Sequence, residues 1–204
     1  MQPTSPPPGG AGYPATFTLR RPEAIERWRP LVQWLLALPH WVILYALGIV
    51  SSAVSFLSWI AVLVTGRLPE SFATLQVLYL RYWNRVTVYA EFMRAEYPPF
   101  AFDLEDADPG DYPALGVDLQ PELDGRNRLT VLFRWLLVIP QLFVLGLVGI
   151  AAFFAWLAAL VAVVVTGRWP EGLWDFLVGY LRWTLRVNAY ALLLTDRYPP
   201  FSLA

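Results

Sequence analysis

The sequence predicts an all-α integral membrane protein with two short extended segments, built as two pseudo-symmetric repeats. Three observations predict it. Residues 31–65 and 135–167 contain no charged side chain, and each stretch exceeds the roughly 20 residues that carry a helix across a bilayer. Apolar residues make up 57% of the chain and charged ones 15%, against about 45–50% and about 25% in soluble domains. The chain also repeats itself: Thr65-Gly66-Arg67-Leu68-Pro69-Glu70 returns as Thr166-Gly167-Arg168-Trp169-Pro170-Glu171, 101 residues later. Trp34 and Trp135, Pro39 and Pro140, and Tyr79-Leu80-Arg81 and Tyr180-Leu181-Arg182 match at the same offset. Upstream, Tyr13-Pro14-Ala15 and Arg27-x-Arg29 return at an offset of 99 as Tyr112-Pro113-Ala114 and Arg126-x-Arg128. So many matches at nearly constant spacing mean a duplicated unit.

Residues 1–12 are rich in proline and glycine and are expected to be disordered. Unit 1 covers 13–100, an acidic linker 101–111, and unit 2 112–204. Each unit opens with an extended piece, 15–20 and 114–120; the first alternates as a short strand does. Helix is expected from near Glu23 and Glu122, since an acidic residue after proline suits a first turn. Arg27, Arg29, Trp34, Arg126, Arg128 and Trp135 then stand as interfacial anchors, and Arg134 has the reach to snorkel outward.

The apolar block allows two arrangements. As one helix its 35 residues would reach about 50 Å, against about 30 Å of hydrocarbon. Either a lead-in helix lies in the interface and breaks at Pro39, or the block folds back on itself near Gly48, Ser51 and Ser52, and near Gly146 and Gly149. The fold-back returns Arg67 to the side of Arg27 and Arg29 and satisfies the positive-inside tendency. A membrane-inserted helical hairpin in each repeat is therefore the expectation. After the Thr-Gly-Arg-x-Pro-Glu turn, a third helix over 70–96 and 171–197 carries Arg81 and Arg85, and Arg182 and Arg186, at mid-length. Arginine at the bilayer centre costs about 2.5–3.5 kcal/mol on insertion scales, so this helix is expected to be amphipathic and to lie in the interface.

Residues 103–124 hold eight acidic and no basic side chains, leaving a net basic remainder. That remainder suits anionic lipid headgroups, at about 1 kcal/mol per arginine. Without a basic stripe on a soluble domain, nucleic acid is excluded as a partner. With no cysteine there is no disulfide and no thiolate metal site. His40, the only histidine, has no second histidine or cysteine to share a metal and reads as an interfacial polar anchor. Ser51, Ser52, Ser55 and Ser58 lack any His/Asp set and read as helix-packing residues. Asp106-Ala107-Asp108-Pro109-Gly110-Asp111 lacks the spacing and closing Glu of a calcium loop. No catalytic, cofactor-binding or metal set emerges, so neither an enzyme nor a cofactor is expected. Arg81, Arg85, Arg182 and Arg186 remain as contacts for anionic lipid or a partner, with pairing to acids such as Glu91 or Asp175 as the alternative.

The order Pro-Glu, Arg-x-Arg, Trp-Leu-Leu-x-x-Pro, apolar block, Thr-Gly-Arg-x-Pro, Leu-Arg-x-x-x-Arg-Val, Tyr-Pro-Pro-Phe resembles the bacterial membrane family catalogued as domain of unknown function 4389. The resemblance runs over 13–100 and 112–201. It implies a membrane protein of bacterial origin and supplies no activity, substrate or catalytic residue. The expectation is a non-enzymatic, lipid-contacting scaffold or accessory subunit of a membrane complex, or a homo-oligomer, in the bacterial cytoplasmic membrane with termini and linker cytoplasmic. The alternative is a small transporter or channel-like protein with its site at the repeat interface.

Overall fold

The computed structural model of the chain describes residues 13–102, 112 and 114–204. The expected disorder of 1–12 and the acidic stretch 103–111 of the linker lie outside the described residues. Six helices and two strands are described: β1 (Ala15–Leu19), α1 (Arg29–Leu36), α2 (Leu38–Thr65), α3 (Glu70–Ala90), β2 (Leu115–Leu119), α4 (Arg128–Leu132), α5 (Arg134–Thr166) and α6 (Glu171–Ala191).

The apolar blocks do not fold back on themselves. Each continues through its small residues as one helix, α2 of 28 residues and α5 of 33, both long and apolar enough to cross a membrane. A continuous helix satisfies every backbone N–H and C=O internally, whereas a reversal in mid-block would strand several of them among apolar side chains. The small residues serve close packing instead. A Cβ on Gly149 would stand 2.9 Å from the Tyr180 hydroxyl, and one on Gly48 would stand 3.8 Å from that of Tyr79. Ser52 and Ser55 turn their hydroxyls back to the carbonyls of Gly48 and Ser51, at 2.8 Å each.

The reversal lies at the Thr-Gly-Arg-x-Pro turn. Gly66 and Gly167 close α2 and α5 at φ of 74° and 72°, a left-handed conformation that costs glycine nothing. The Thr65 and Thr166 hydroxyls accept the N–H groups of Arg67 and Arg168, and Pro69 and Pro170 lead into α3 and α6. The helices α2/α3 and α5/α6 therefore form antiparallel pairs, with Gln76 against Ser51 and Tyr82 against His40 in the first.

Both third helices end at Ala90 and Ala191, six residues earlier than the sequence predicts. Phe92 and Leu193 adopt φ of 49° and 65°, and the N–H groups of Met93 and Leu194 return to the carbonyls of Val88 and Ala189. Neither position is glycine, the usual sign of such a stop. The expected one-sided, amphipathic packing is not seen in α3, which is buried on two opposite faces. One faces α2; the other faces an antiparallel ribbon in which Phe17 lies opposite Val117. Strand β1 packs on α6 and β2 on α3, so each half lends its strand to the other. Three layers result: α2 and α5, then α3 and α6, then the ribbon.

Helix begins at Arg29 and Arg128 rather than near Glu23 and Glu122. The intervening segments run extended over the opposite half's turn: Ile25 N–H donates to Gly167 O at 2.8 Å, and Arg126 N–H to Gly66 O at 3.2 Å. These contacts extend the offset of 101 back to Ile25 and Arg126, so the two Arg-x-Arg motifs are not structural equivalents. The prolines differ in place. Pro39 opens α2 after a break at Ala37, whereas Pro140 sits inside α5, which starts just after Phe133.

Candidate functional site

The four arginines predicted to meet headgroups turn inward. Arg81, Arg85 and Arg186 are buried and Arg182 is half-buried. Arg81 Nε donates to Val117 O at 3.1 Å, and Arg182 Nε to Phe17 O at 3.3 Å. Arg182 Nη1 also reaches Leu203 O at 3.2 Å, and the Arg186 guanidinium lies 5.9 Å from the Tyr13 ring centroid. A guanidinium has five donors and is weakly hydrated, so it can tie strand carbonyls to a helix where lysine would need water. Burial lowers the pKa of both Arg182 and Arg186. Arg81 and Arg182 tie the ribbon to α3 and α6, and Arg85 and Arg186 are buried beside them, which corrects the assignment of the four as a lipid or partner surface.

The predicted anchors divide. Trp34 and Trp135 are exposed (54% and 61%), as are Arg27 and Arg128. Arg29 is half-buried, bonded to Glu26 and to Ala95 O at 2.9 and 2.8 Å. Arg126 is buried against Asp196 at 2.8 Å. Burial lowers its pKa and the Asp196 carboxylate opposes that shift.

Arg134 does not snorkel. It is 1% exposed, lies 4.0 Å over the Tyr190 ring, and donates to the carbonyls of Tyr190 (2.9 Å) and Thr195 (2.7 Å) and to the Asp196 carboxylate. Its counterpart Gln33 donates to Arg94 O, which corresponds to Thr195 O. One structural task, holding the chain after the third helix, is thus done by a neutral amide in one half and by an ion pair in the other.

His40 is not an interfacial anchor either. It is fully buried, hydrogen-bonded through Nδ1 to the Tyr82 hydroxyl at 2.6 Å and stacked on Phe100 at 4.3 Å. Gln141 takes its place in unit 2, accepting from Trp183 Nε1 at 2.9 Å and donating to Pro199 O at 2.6 Å. The Tyr-Pro-Pro-Phe segment folds back over the start of the apolar helix and closes that end of each helix pair.

Further along the same interface the halves diverge. Ser51 donates to Gln76 Oε1 at 2.5 Å, while Gln76 Nε2 donates to Ser51 O (2.8 Å) and Ser55 Oγ (2.9 Å). The corresponding residues are Ala152, Leu177 and Trp156, and they line a cavity of about 360 Å³ with Glu91 on its wall. Burial pushes the Glu91 carboxyl up to about 7. From the sequence alone Glu91 reads only as a partner for arginine. Nothing in the local pattern signals its role, because the α3 stop that aims it at α5 carries no glycine.

Both long helices present exposed apolar side chains. On α2 the exposed side chains include Val42, Tyr45, Ile49, Phe56, Ile60 and Val64; on α5 they include Leu136, Phe143, Ile150, Phe154, Val161 and Val165. On each helix the buried residues, such as His40, Ser51, Ser55 and Ser58 on α2, occupy the opposite side. Among the described residues no cluster of His, Cys, Asp and Glu has the form of a metal site.

No curated protein and no solved structure matches the chain. The family described as domain of unknown function (DUF4389) matches it twice, over residues 27–101 and 128–202. The first match starts just before α1 and the second at the first residue of α4, and each ends one residue past its Tyr-Pro-Pro-Phe segment. The chain belongs to the DUF4389 family, as a tandem duplication of that domain.

Proposed function

We propose that the protein is a non-enzymatic membrane scaffold or accessory subunit that contacts lipid through α2 and α5, in the bacterial cytoplasmic membrane. The observation that carries the reading is the one-sided exposure of these helices: the outward face is almost wholly apolar, His40, Ser51, Ser55 and Ser58 turn inward on α2, and the exposed Ser52 hydroxyl is bonded to its own helix. A soluble helix reverses that arrangement. An uncovered apolar surface of this extent marks a membrane or protein contact.

Matched contacts support an approximate twofold axis through the Phe17–Val117 pair and normal to the layers. They include Arg81 with Val117 and Arg182 with Phe17, and the two Thr-Gly-Arg turns against Arg126 and Ile25. In this reading the axis follows the membrane normal, and α2 and α5 lie along the hydrocarbon boundary rather than across it. Upright helices would carry the ribbon, with exposed Thr16 and Thr18 and part-exposed Asp118, to mid-depth. They would also put Arg67 and Arg168 on opposite sides of the bilayer, against the positive-inside tendency. Lying flat, the apolar faces meet acyl chains while the ribbon and both turns stay on the cytoplasmic side.

The chain has no cysteine, so single cysteines at Thr18, Arg67 and Arg168 report sidedness cleanly. A membrane-impermeant maleimide should label all three in inside-out vesicles and none in intact cells. Labelling of 67 and 168 from opposite sides would establish crossing helices and overturn the arrangement. Purification in mild detergent should retain a stoichiometric membrane partner or a homo-oligomer. Solute flux through proteoliposomes of the pure chain would replace the scaffold reading with a transporter.

A further inference from the structure

The cavity between the end of α3 and the α5/α6 pair has the makings of a ligand site. Its volume, about 360 Å³, falls within the usual range for small-molecule pockets, roughly 300–1,000 Å³. Its walls are Phe153, Trp156 and Tyr180, floored by Gly149 and Ala152, with Glu91 reaching in from the other half. Phe153 is 55% exposed on the apolar face, so the cavity opens toward the side assigned above to lipid. The Trp156 indole N–H is buried without a hydrogen-bond partner, a cost that protein interiors rarely leave standing. Phe92 holds that indole in place, ring centroids 5.5 Å apart.

Two kinds of chemistry meet here. A carboxylate beside ring faces recognises an organic cation, because the rings present negative π-density and the carboxylate supplies the counter-charge. The unpartnered indole N–H calls for an acceptor oxygen next to that cation. An inorganic cation would need several oxygens at once, and the wall offers one carboxylate and one phenol. We propose that this cavity binds an organic ammonium ion bearing a neighbouring oxygen, paired with Glu91, flanked by Phe153, Trp156 and Tyr180, and accepting the Trp156 N–H.

The duplicated half supplies an internal contrast. Leu192 stands at the position of Glu91, and the hydrogen-bonded Ser51, Ser55 and Gln76 occupy the corresponding wall. The corresponding place in unit 1 therefore lacks both the carboxylate and the cavity-lining indole.

The test is binding of 2-phenoxyethylammonium to the full chain in dodecyl maltoside micelles, followed by titration calorimetry, with neutral 2-phenoxyethanol as control. The expected result is one saturable site for the ammonium compound and at least about tenfold weaker binding of the neutral one, since a charge pair is lost. Glu91→Gln should weaken the ammonium compound by a similar factor, and Leu192→Gln should leave it unchanged. Ala152→Phe, which fills the cavity and keeps the carboxyl, should abolish binding; circular dichroism and melting identify a variant that has lost its fold. Affinity should fall as pH drops below about 7, where Glu91 takes up its proton, by about tenfold per pH unit as the carboxylate fraction declines. Tyr180 is the titratable group facing Glu91 from α6, and α5 contributes none over 149–156. Displacement of the probe by phosphatidylethanolamine but not phosphatidylglycerol would identify the source as a lipid headgroup; no displacement by either would identify a soluble amine. Absence of saturable binding, or binding indifferent to Glu91→Gln and Ala152→Phe alike, would overturn the proposal. Neither result bears on membrane topology, which the labelling experiment reads separately.

Discussion

The two halves of this chain share a fold and solve the same packing problems with different chemistry. In unit 1 the interface between the long helix and its antiparallel partner is neutral and hydrogen-bonded, through Gln33, His40, Ser51, Ser55 and Gln76. In unit 2 the same positions hold Arg134, Gln141, Ala152, Trp156 and Leu177, giving a buried ion pair at one end and a cavity further along. Duplication makes this possible, because a contact that must persist in one copy can be rewritten in the other. Where the copies agree, at the Thr-Gly-Arg turns, the ribbon arginines and the Tyr-Pro-Pro-Phe clasp, the agreement marks what the fold requires. Where they differ, it marks freedom or specialisation.

The sharpest way to break this comparison is at Arg134 and Gln33. Arg134→Leu removes a guanidinium that is 1% exposed and leaves Asp196 with Arg126 as its remaining ion partner. Asp196 stays paired with Arg126, so the loss comes chiefly from the stranded carbonyls of Tyr190 and Thr195, at about 1–3 kcal/mol each. Gln33→Leu strands only the Arg94 carbonyl, at about 1–3 kcal/mol. Thermal melting in micelles should show the larger loss for the unit 2 variant. Equal losses would mean that the ion pair adds nothing over an amide.

A smaller effect is expected where one half is rewritten toward the other. Gln76→Leu copies Leu177 into unit 1 and takes the acceptor from the Ser51 hydroxyl, while the Ser51 carbonyl keeps the Ser55 hydroxyl. The expected cost is about 1–3 kcal/mol, and adding Ser51→Ala should recover most of it, since replacing both partners by apolar groups is nearly neutral. If Gln76→Leu melts like the parent chain, the polar network is incidental rather than the device that fills this side of the interface.

How much of this was legible in the sequence follows from what each signal depends on. The duplication, the Thr-Gly-Arg turn and the uncharged blocks were legible because repeat spacing, a left-handed glycine and charge depletion are local properties. The reversal point was misplaced because Gly48, Ser51 and Ser52 look alike whether they permit a turn or let Tyr79 pack close. The arginines of α3 and α6 look like surface groups in the sequence because helical periodicity does not reveal that a two-stranded ribbon, with strands exchanged between the halves, covers that face. Glu91 reads from the sequence only as an ion partner for arginine, for a related reason. The third helix stops at Phe92 and Leu193, and only that stop turns a residue beyond α3 toward the middle of α5.

The smallest effect belongs to the surface pair at the first turn. Arg67 Nε lies 2.7 Å from Asp124, with side chains 74% and 69% exposed, and Arg168 stands at the matching place in unit 2. Exposed pairs of this kind contribute about 0–1 kcal/mol. Arg67→Gln and Arg168→Gln should therefore each leave the melting temperature nearly unchanged, and any small loss from the first should vanish at 1 M salt, where screening shortens the reach of charge to about 3 Å. The agreement of the two turns would then rest on Gly66 and Gly167, whose left-handed backbone a side chain would strain in both halves. A loss of several kcal/mol from Arg67→Gln alone, persisting at high salt, would show that the turns are not equivalent and that the first depends on its arginine for more than a surface pair.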